Sequence, residues 1–415
     1  MNDADNRKVL IEKLRAGISA ITDSSAPAQP DEPPEPIVEP SEIETVIPGR
    51  NVQTPYGPCY VAEADFDLST FHGLRRLRES LDTDLPLLAD PMKISIPDDL
   101  RFTDALFLDT ETTGVLAAGT MGFMIGLGFF RDNVFCIRQI FLRDYMEERA
   151  GLHLLGEYAQ GRSILFTFNG RNFDVPLLDM RLAQNRFRWR LADMPHGDLL
   201  LPARRIWKHA LPDCRLGSLE EAVLGFRRTG DIPGFEIPDL YFTYQRERNA
   251  RKLKAVFDHN LYDVLSLVLL PKEMAIRFPE KPQLALPPLE KFALANYWLN
   301  RNAREIAEQY YESALPLLRG EPRNKTLRAL SLLFRGKGEW EPALECWREL
   351  TDRCPEELFA YQELAKYYEH GAKDFDEALA WVDRAQENVV FPGYNARKGW
   401  EHRRKRIELK KSRQS

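Results

Sequence analysis

Residues 106–114 read LFLDTETTG. Ala105–Leu108 is a short apolar run of the kind that forms a buried strand. Thr112, Thr113 and Gly114 close it with a turn. Asp109 and Glu111 stand two residues apart at the strand's end. In a strand, side chains at i and i+2 point to one face, so the two carboxylates lie side by side. Paired carboxylates repel and raise each other's pKa unless a cation sits between them. Hard oxygen ligands of this kind suit Mg²⁺ or Mn²⁺.

The runs GFMIGLGFF (122–130) and NVFCIRQIFL (133–142) are two further strands, separated by a turn at Arg131–Asp132–Asn133. Residues 147–160 have a helical pattern. SILFTF (163–168) is another buried strand, followed by a loop at Asn169–Gly170 and a helix over 173–185. Strands alternating with helices, after one early meander, predict an α/β fold with a mixed sheet. Helices at about 199–208, 217–225 and 246–277 complete it. Upstream, residues 56–88 hold a hairpin or lead-in and then a helix around Phe71–Leu81. Val9, Leu10, Leu14 and Ile18 are spaced for a short amphipathic helix over 6–20. Thr22–Ile47, with prolines at 27, 30, 33, 34, 36 and 40 and surplus acids, reads as a disordered linker.

After Pro279 the strand patterns stop. KPQLALPP (281–288) marks a boundary, and the remainder is helical and repeats. Residues 329–347 align with 364–382 at an offset of 35, matching Gly336 to Gly371, Ala343 to Ala378 and Leu344 to Leu379. A weaker third copy places Ala307 and Tyr311 where Ala343 and Trp347 stand. A period near 34 resembles the tetratricopeptide repeat, a helix-turn-helix unit whose stacked copies usually bind a partner. The organisation expected is an N-terminal helix and linker over 1–50, an α/β domain over 51–280, helical repeats over 285–396 and a basic tail over 397–415.

Two later motifs extend the first. In FTFNGRNFDVPLL (166–178), Asn169 ends a strand and Asp174 opens a helix, among apolar neighbours that imply partial burial. In HNLYDVLSLVLL (259–270), His259 and Asp263 are i and i+4, neighbours on one helix face. Tyr262 lies about 100° round that helix and is read as packing. Four carboxylates drawn from a strand, a second element and a late helix can converge on two metal ions. That is the equipment of two-metal phosphodiester hydrolysis. His259 is the candidate general base, with a pKa suited to neutral pH. Thr112, Thr113 and Asn169 are the candidate substrate contacts. Asp198 in HGDLL is read as a helix cap, and Gly230–Asp239 as a loop overhanging the site. Arg204, Arg205, Lys208, Arg227, Arg228, Arg251, Lys252 and Lys254 are candidates for phosphate contacts.

The order D-x-E, then N-x-x-x-F-D, then an acid on a late helix resembles the DEDD exonucleases of the ribonuclease-H-like superfamily. It is more closely similar to the bacterial YprB-like proteins, which join such a domain to tetratricopeptide repeats. The resemblance spans roughly 55–280 and extends into the repeats. It includes HGDLLLPARRIW and LGFRRTGDIPGFEIPDLYF as well as the motifs above. It implies a ribonuclease H-like mixed sheet flanked by helices, followed by an all-α repeat domain. It also implies that Asp109 contacts both metals, Glu111 and Asp263 hold the ion that carries the nucleophile, and Asp174 holds the second. One feature departs from the superfamily pattern. Members with His before the last Asp have four intervening residues and members with Tyr have three, whereas here His259 is followed by three.

Composition bounds these readings. The 415 residues are 44% hydrophobic and 29% charged, a globular balance. No apolar stretch nears the ~18 residues of a membrane helix, and the N-terminus has no apolar signal core. Five scattered cysteines without C-x-x-C fit a reducing cytoplasm and argue against a disulfide scaffold or a cysteine zinc site. The net charge of −6 is uneven: residues 1–90 carry 8 basic against 17 acidic side chains, and 397–415 carry 9 against 2. That excludes a uniformly basic nucleic-acid binder but not a local basic surface. The function expected is a Mg²⁺- or Mn²⁺-dependent nuclease, a 3′–5′ exonuclease on single-stranded DNA or RNA, with a protein partner on the repeats. The competing readings are a structure-selective nuclease and a non-catalytic nucleic-acid-binding adaptor.

Overall fold

A computed structural model of the chain describes residues 42–97, 99–114, 119–279, 282, 285–390 and 394–414. The helix expected over 6–20, and the linker up to residue 41, lie outside them. The linker does not extend to Ile47. Ile43–Val46 is a turn of helix (α1), and Ile43 and Ile47 are buried.

Strands β1 (Gly49–Thr54) and β2 (Gly57–Asp67) form the first hairpin. The segment expected as a helix around Phe71–Leu81 is instead a small ribbon, β3 (Phe71–His72) and β4 (Arg75–Arg76), followed by a 3₁₀ turn over Leu77–Asp82. The cause is tertiary. Gly73 adopts φ +63° against the Leu224 carbonyl, which accepts from the Leu74 amide at 2.7 Å, and a helix cannot hold a left-handed residue there. Next come α2 (Pro86–Met92), β5 (Ala105–Thr112), β6 (Gly122–Arg131), β7 (Val134–Phe141), α3 (Glu148–Ala159), β8 (Ile164–Thr167), α4 (Asp174–Gln184) and β9 (His196–Asp198). They are followed by α5 (Leu200–Trp207), α6 (Leu216–Leu219) with a π turn over Glu220–Leu224, α7 (Ile237–Glu247) and α8 (Leu253–Ala275). The single helix expected over 246–277 is therefore two. Arg248 turns left-handed at φ 53°, and the Asn249 side chain accepts the Arg251 amide at 3.0 Å.

The sheet runs β1-β2-β7-β6-β5-β8-β9. The pairs from β1 to β5 are antiparallel, while β5–β8 and β8–β9 are parallel. Alternation along β5 sends Leu106 and Leu108 into the core under α3, α4 and α7. Ala105 and Phe107 go into the core under α2, α5 and α8. Asp109 and Glu111 continue the second set, on the α8 face. Helix α8 can lie close to the sheet because β6 offers Gly126 and Gly128, which pair with Asp109 and Phe107. A Cβ on Gly126 would overlap the Asn260 amide, and one on Gly128 would stand 2.6 Å from Val264.

The helical region comprises α9 (Pro288–Leu299), α10 (Arg304–Ala314), α11 (Gly320–Lys337), α12 (Trp340–Arg353), α13 (Leu358–Tyr367), α14 (Phe375–Asn388) and α15 (Tyr394–Gln414). The first six make three helix hairpins. Each turns at one left-handed residue: Asn302 (φ 60°), Gly338 (φ 79°) and Lys373 (φ 57°). The spacing of the last two is the 35-residue offset of the sequence, with the turn two residues beyond the aligned Gly336. The buried positions recur too: Ala307, Ala343 and Ala378 are all fully buried. The basic C-terminus is a docked helix rather than a free tail. Trp400 and Ile407 are buried, and Arg403, Arg406 and Lys410 pair with the buried Glu369. The two regions share one apolar core, and Glu290 of α9 accepts from Trp207 at 3.0 Å and from Arg277 at 2.8 Å. Among the described residues no helix is long and apolar enough to cross a membrane.

Candidate active site

Two elements meet at the end of β5. Helix α8 presents His259, Asn260 and Asp263 to the strand end that carries Asp109 and Glu111. Glu111, His259 and Asp263 each offer a ligand atom, and these atoms lie within 4.8 Å of one another. The Asp109 carboxylate accepts from Asn260 Nδ2 at 2.9 Å, and Asn260 Oδ1 accepts from Gln139 Nε2 at 3.0 Å. Asp174 comes from the other face of the sheet, round the strand's end, and its carboxylate accepts from the Thr110 hydroxyl. A cavity of about 310 Å³ joins Asp109, Thr112, Asn169 and Asp174. The loop below it is held by Asp198, whose carboxylate accepts the amides of Asn169 at 2.8 Å, Arg171 at 3.2 Å and Leu200 at 3.0 Å. Asp198 therefore shapes the site loop and, standing one residue before the N-cap Leu199, also takes the first amide of α5. Asn169 sits in the left-handed region at φ 66°. Thr113 is spent elsewhere: its hydroxyl accepts the Met121 amide at 3.1 Å and closes the loop. Tyr262 packs on Phe226, ring centroids 5.1 Å apart.

The charges conflict without a cation. Burial, and then the carboxylates of Asp263, Glu111 and Asp174, push Asp109 well above the usual carboxylate range. Burial, then Asp263 and Asp174, does the same to Glu111. Asp174 is pushed up to about 6, chiefly by burial. Negative charge confined where water is scarce calls for positive charge. A donor set of four carboxylates and one imidazole fits hard divalent cations. The site already recruits one cation of its own, the guanidinium of Arg228.

Arg228 is the residue that sequence reasoning left among eight equivalent bases. It is largely buried, with its side chain 9% exposed. It donates twice to Glu220 at 2.6 Å, and also to Asp263. Its neighbour Arg227 points to solvent and pairs with Glu221. Nothing local in the sequence separates the two. Behind Glu220 the network continues: the Ser266 hydroxyl donates to Glu220 at 2.5 Å. His72 Nε2 lies 2.8 Å from the same hydroxyl oxygen. Because that hydroxyl has one proton and gives it to the carboxylate, His72 Nε2 is the donor. Burial pushes the His72 pKa down to about 4, keeping the ring neutral. Asp231 was also missed. It reaches in from the 230–239 loop and stands 2.7 Å from His259 Nδ1. His259 Nε2 is 3.4 Å from Asp263.

A family model described as RNase_H superfamily matches residues 106–275, the span from the second residue of β5 to the end of α8. The uncharacterized protein YprB of Bacillus subtilis (strain 168) is similar at 30% identity over 349 residues. The match covers 80% of this chain and 81% of that protein.

Proposed function

The chain belongs to the ribonuclease H superfamily and, within it, to the YprB-like proteins. From that premise we propose that it is a divalent-metal-dependent nuclease, a 3′–5′ exonuclease acting on single-stranded DNA or RNA. The observation that carries this is the convergence of Glu111, His259 and Asp263 from two elements, beside a cavity lined by Asp109 and Asp174.

Asp109, Glu111, Asp174 and Asp263 would hold Mg²⁺ or Mn²⁺, which when bound supplies an acidified water and charge for the leaving oxygen. His259 takes the proton. Nδ1 faces the Asp231 carboxylate at 2.7 Å and the Arg228 guanidinium at 3.3 Å; with the shorter contact as the hydrogen bond, the ring proton sits on Nδ1 and Nε2 is the acceptor. Three intervening residues set His259 one helical turn before Asp263, so base and carboxylate share a face. Asn260 steers Asp109, Thr110 steers Asp174, and the Asn169 loop forms the floor on which a terminal nucleotide is placed. The helical hairpins are the surface for a partner.

The test is cleavage of end-labelled single-stranded DNA and RNA with Mn²⁺, with Mg²⁺ and with EDTA. Asp109→Asn serves as the variant that removes charge but not shape. A metal-dependent ladder shortening from the 3′ end, absent in the variant, is expected. Binding of the oligonucleotides with no cleavage under any metal would support the adaptor instead.

A further inference from the structure

We propose that the groove between α5 and α9 is a second binding site for single-stranded nucleic acid, gripping the phosphate backbone of the strand beyond the catalytic carboxylates. This rests on the nuclease reading and extends it to the part of the substrate that is not cut.

The groove encloses about 490 Å³ and is lined by Arg204, Arg205, Lys208, Tyr297, Asn300 and Arg301, among others. Four of those six are fixed cations, in a chain whose net charge is −6. The acid that meets them is Asp90, already engaged by Arg301 and the Tyr297 hydroxyl. Three of the eight bases singled out in the sequence are occupied elsewhere: Arg227 on Glu221, Arg228 on Glu220 and Asp263, Lys254 on Asp258. Arg204 and Lys208 are exposed and without an ion-pair partner among the described residues, as are Arg251 and Lys252, but only the first two line the groove. They stand at i and i+4, Arg204 in the last turn of α5 and Lys208 at its C-cap, where the helix dipole offsets their mutual repulsion and leaves both charges free for an anion in the groove.

The groove wall is also built in advance. Arg205 donates to the carbonyls of Asp90, at 3.0 Å, and Pro91. Arg205 and Arg301 lie over the Tyr297 ring at 5.7 and 3.8 Å. Guanidinium planes held this way lose little freedom when they meet a phosphate. Burial, and then the Arg301 charge, push the Arg205 pKa down. An exposed amide, Asn300, adds an uncharged donor. Helix α5 begins directly after Asp198, which holds the Asn169 loop, and its eight residues span about 12 Å at 1.5 Å per residue. An extended strand covers that span in about two phosphate steps, so a strand of several nucleotides can reach from the site to the groove and a dinucleotide cannot.

The experiment is fluorescence anisotropy on the full chain in EDTA, across a KCl series. It uses single strands of about 20 and about two nucleotides, and the double variants Arg204→Ala/Lys208→Ala and Arg204→Lys/Lys208→Arg. Losing two phosphate contacts should weaken binding of the longer strand about tenfold or more and lower its salt slope by about 1.4. The preference for the longer strand then narrows, while the charge-conserving variant keeps it. An unaltered preference and salt slope in the alanine variant, at unchanged melting temperature, overturns the groove. Equal weakening of both strands overturns it too. If the unmodified chain binds and cleaves normally in these cases, the nuclease reading stands without the groove. If the unmodified chain neither binds nor cleaves either strand, both fall.

Discussion

Asp263 accepts from Arg228 and lies 3.4 Å from His259 Nε2, so a fixed guanidinium competes with any cation for this carboxylate. Arg228→Met removes that competitor and leaves the buried Glu220 without its cation, with only the Ser266 hydroxyl still donating to it. The expected result is a chain destabilised by about 3–5 kcal/mol but more strongly stabilised by Mn²⁺ than the parent, read by thermal melting with and without the ion. A Mn²⁺ shift no larger than that of the parent would show that the guanidinium does not contest the site. His259→Ala should slow hydrolysis by roughly 10²–10⁴-fold if the imidazole takes the proton. Full activity in single-turnover cleavage by that variant would assign the base elsewhere and leave the carboxylates in place.

The meeting of β6 with α8 sets the position of those residues. Gly126 and Gly128 remove two Cβ atoms from the sheet, and Asn260 and Val264 fill the space. Gly126→Ala must displace the Asn260 amide, which is buried and also bound to Gln139 and Asp109. The expected cost is about 1–3 kcal/mol of stability, with a fall in hydrolysis beyond what the stability loss explains. Urea denaturation combined with cleavage at a temperature where both forms are folded measures the two separately. An alanine variant of full stability and activity would mean that α8 has room to retreat. The helical hairpins show element-scale repetition of another kind. Their turns fall at Asn302, Gly338 and Lys373, so the left-handed position recurs even where glycine does not.

For the molecule as a whole, Glu369 ties the final helix to the body. Although its burial pulls the other way, hydrogen bonds from Arg406 and Lys410 hold the carboxyl down at about 2, from a usual 4.5. A carboxylate depressed in the folded state contributes stability that is complete above its unfolded pKa and is lost as pH falls through the folded one. Stability from this group is therefore present above about pH 4.5 and drains away toward pH 2. Urea midpoints of the parent and Glu369→Gln across pH 2–6 should converge at the acid end and differ at the neutral end. A constant difference would mean that α15 is held by Trp400 and Ile407 alone.

Patterns of short range are legible in the sequence by itself. Alternation in β5 puts Asp109 and Glu111 together. The i, i+4 spacing puts His259 beside Asp263, and the offset of 35 matches the helix hairpins. These hold because strand and helix periods are backbone geometry, set within a few residues. The partners of the charges are not legible there. Arg228 and Arg227 are adjacent and alike, yet one is buried against Glu220 and Asp263 while the other faces water. Asp231 meets a histidine 28 positions away, and Asn260 meets an aspartate 151 positions away. The ribbon at Phe71–Arg76 has the apolar spacing of a helix, and the contact of Gly73 with Leu224 overrides that spacing. Local chemistry selects the elements and the face each residue occupies. Which buried charge meets which is decided by how loops and helices pack, since desolvation makes an unpaired charge too costly wherever they close.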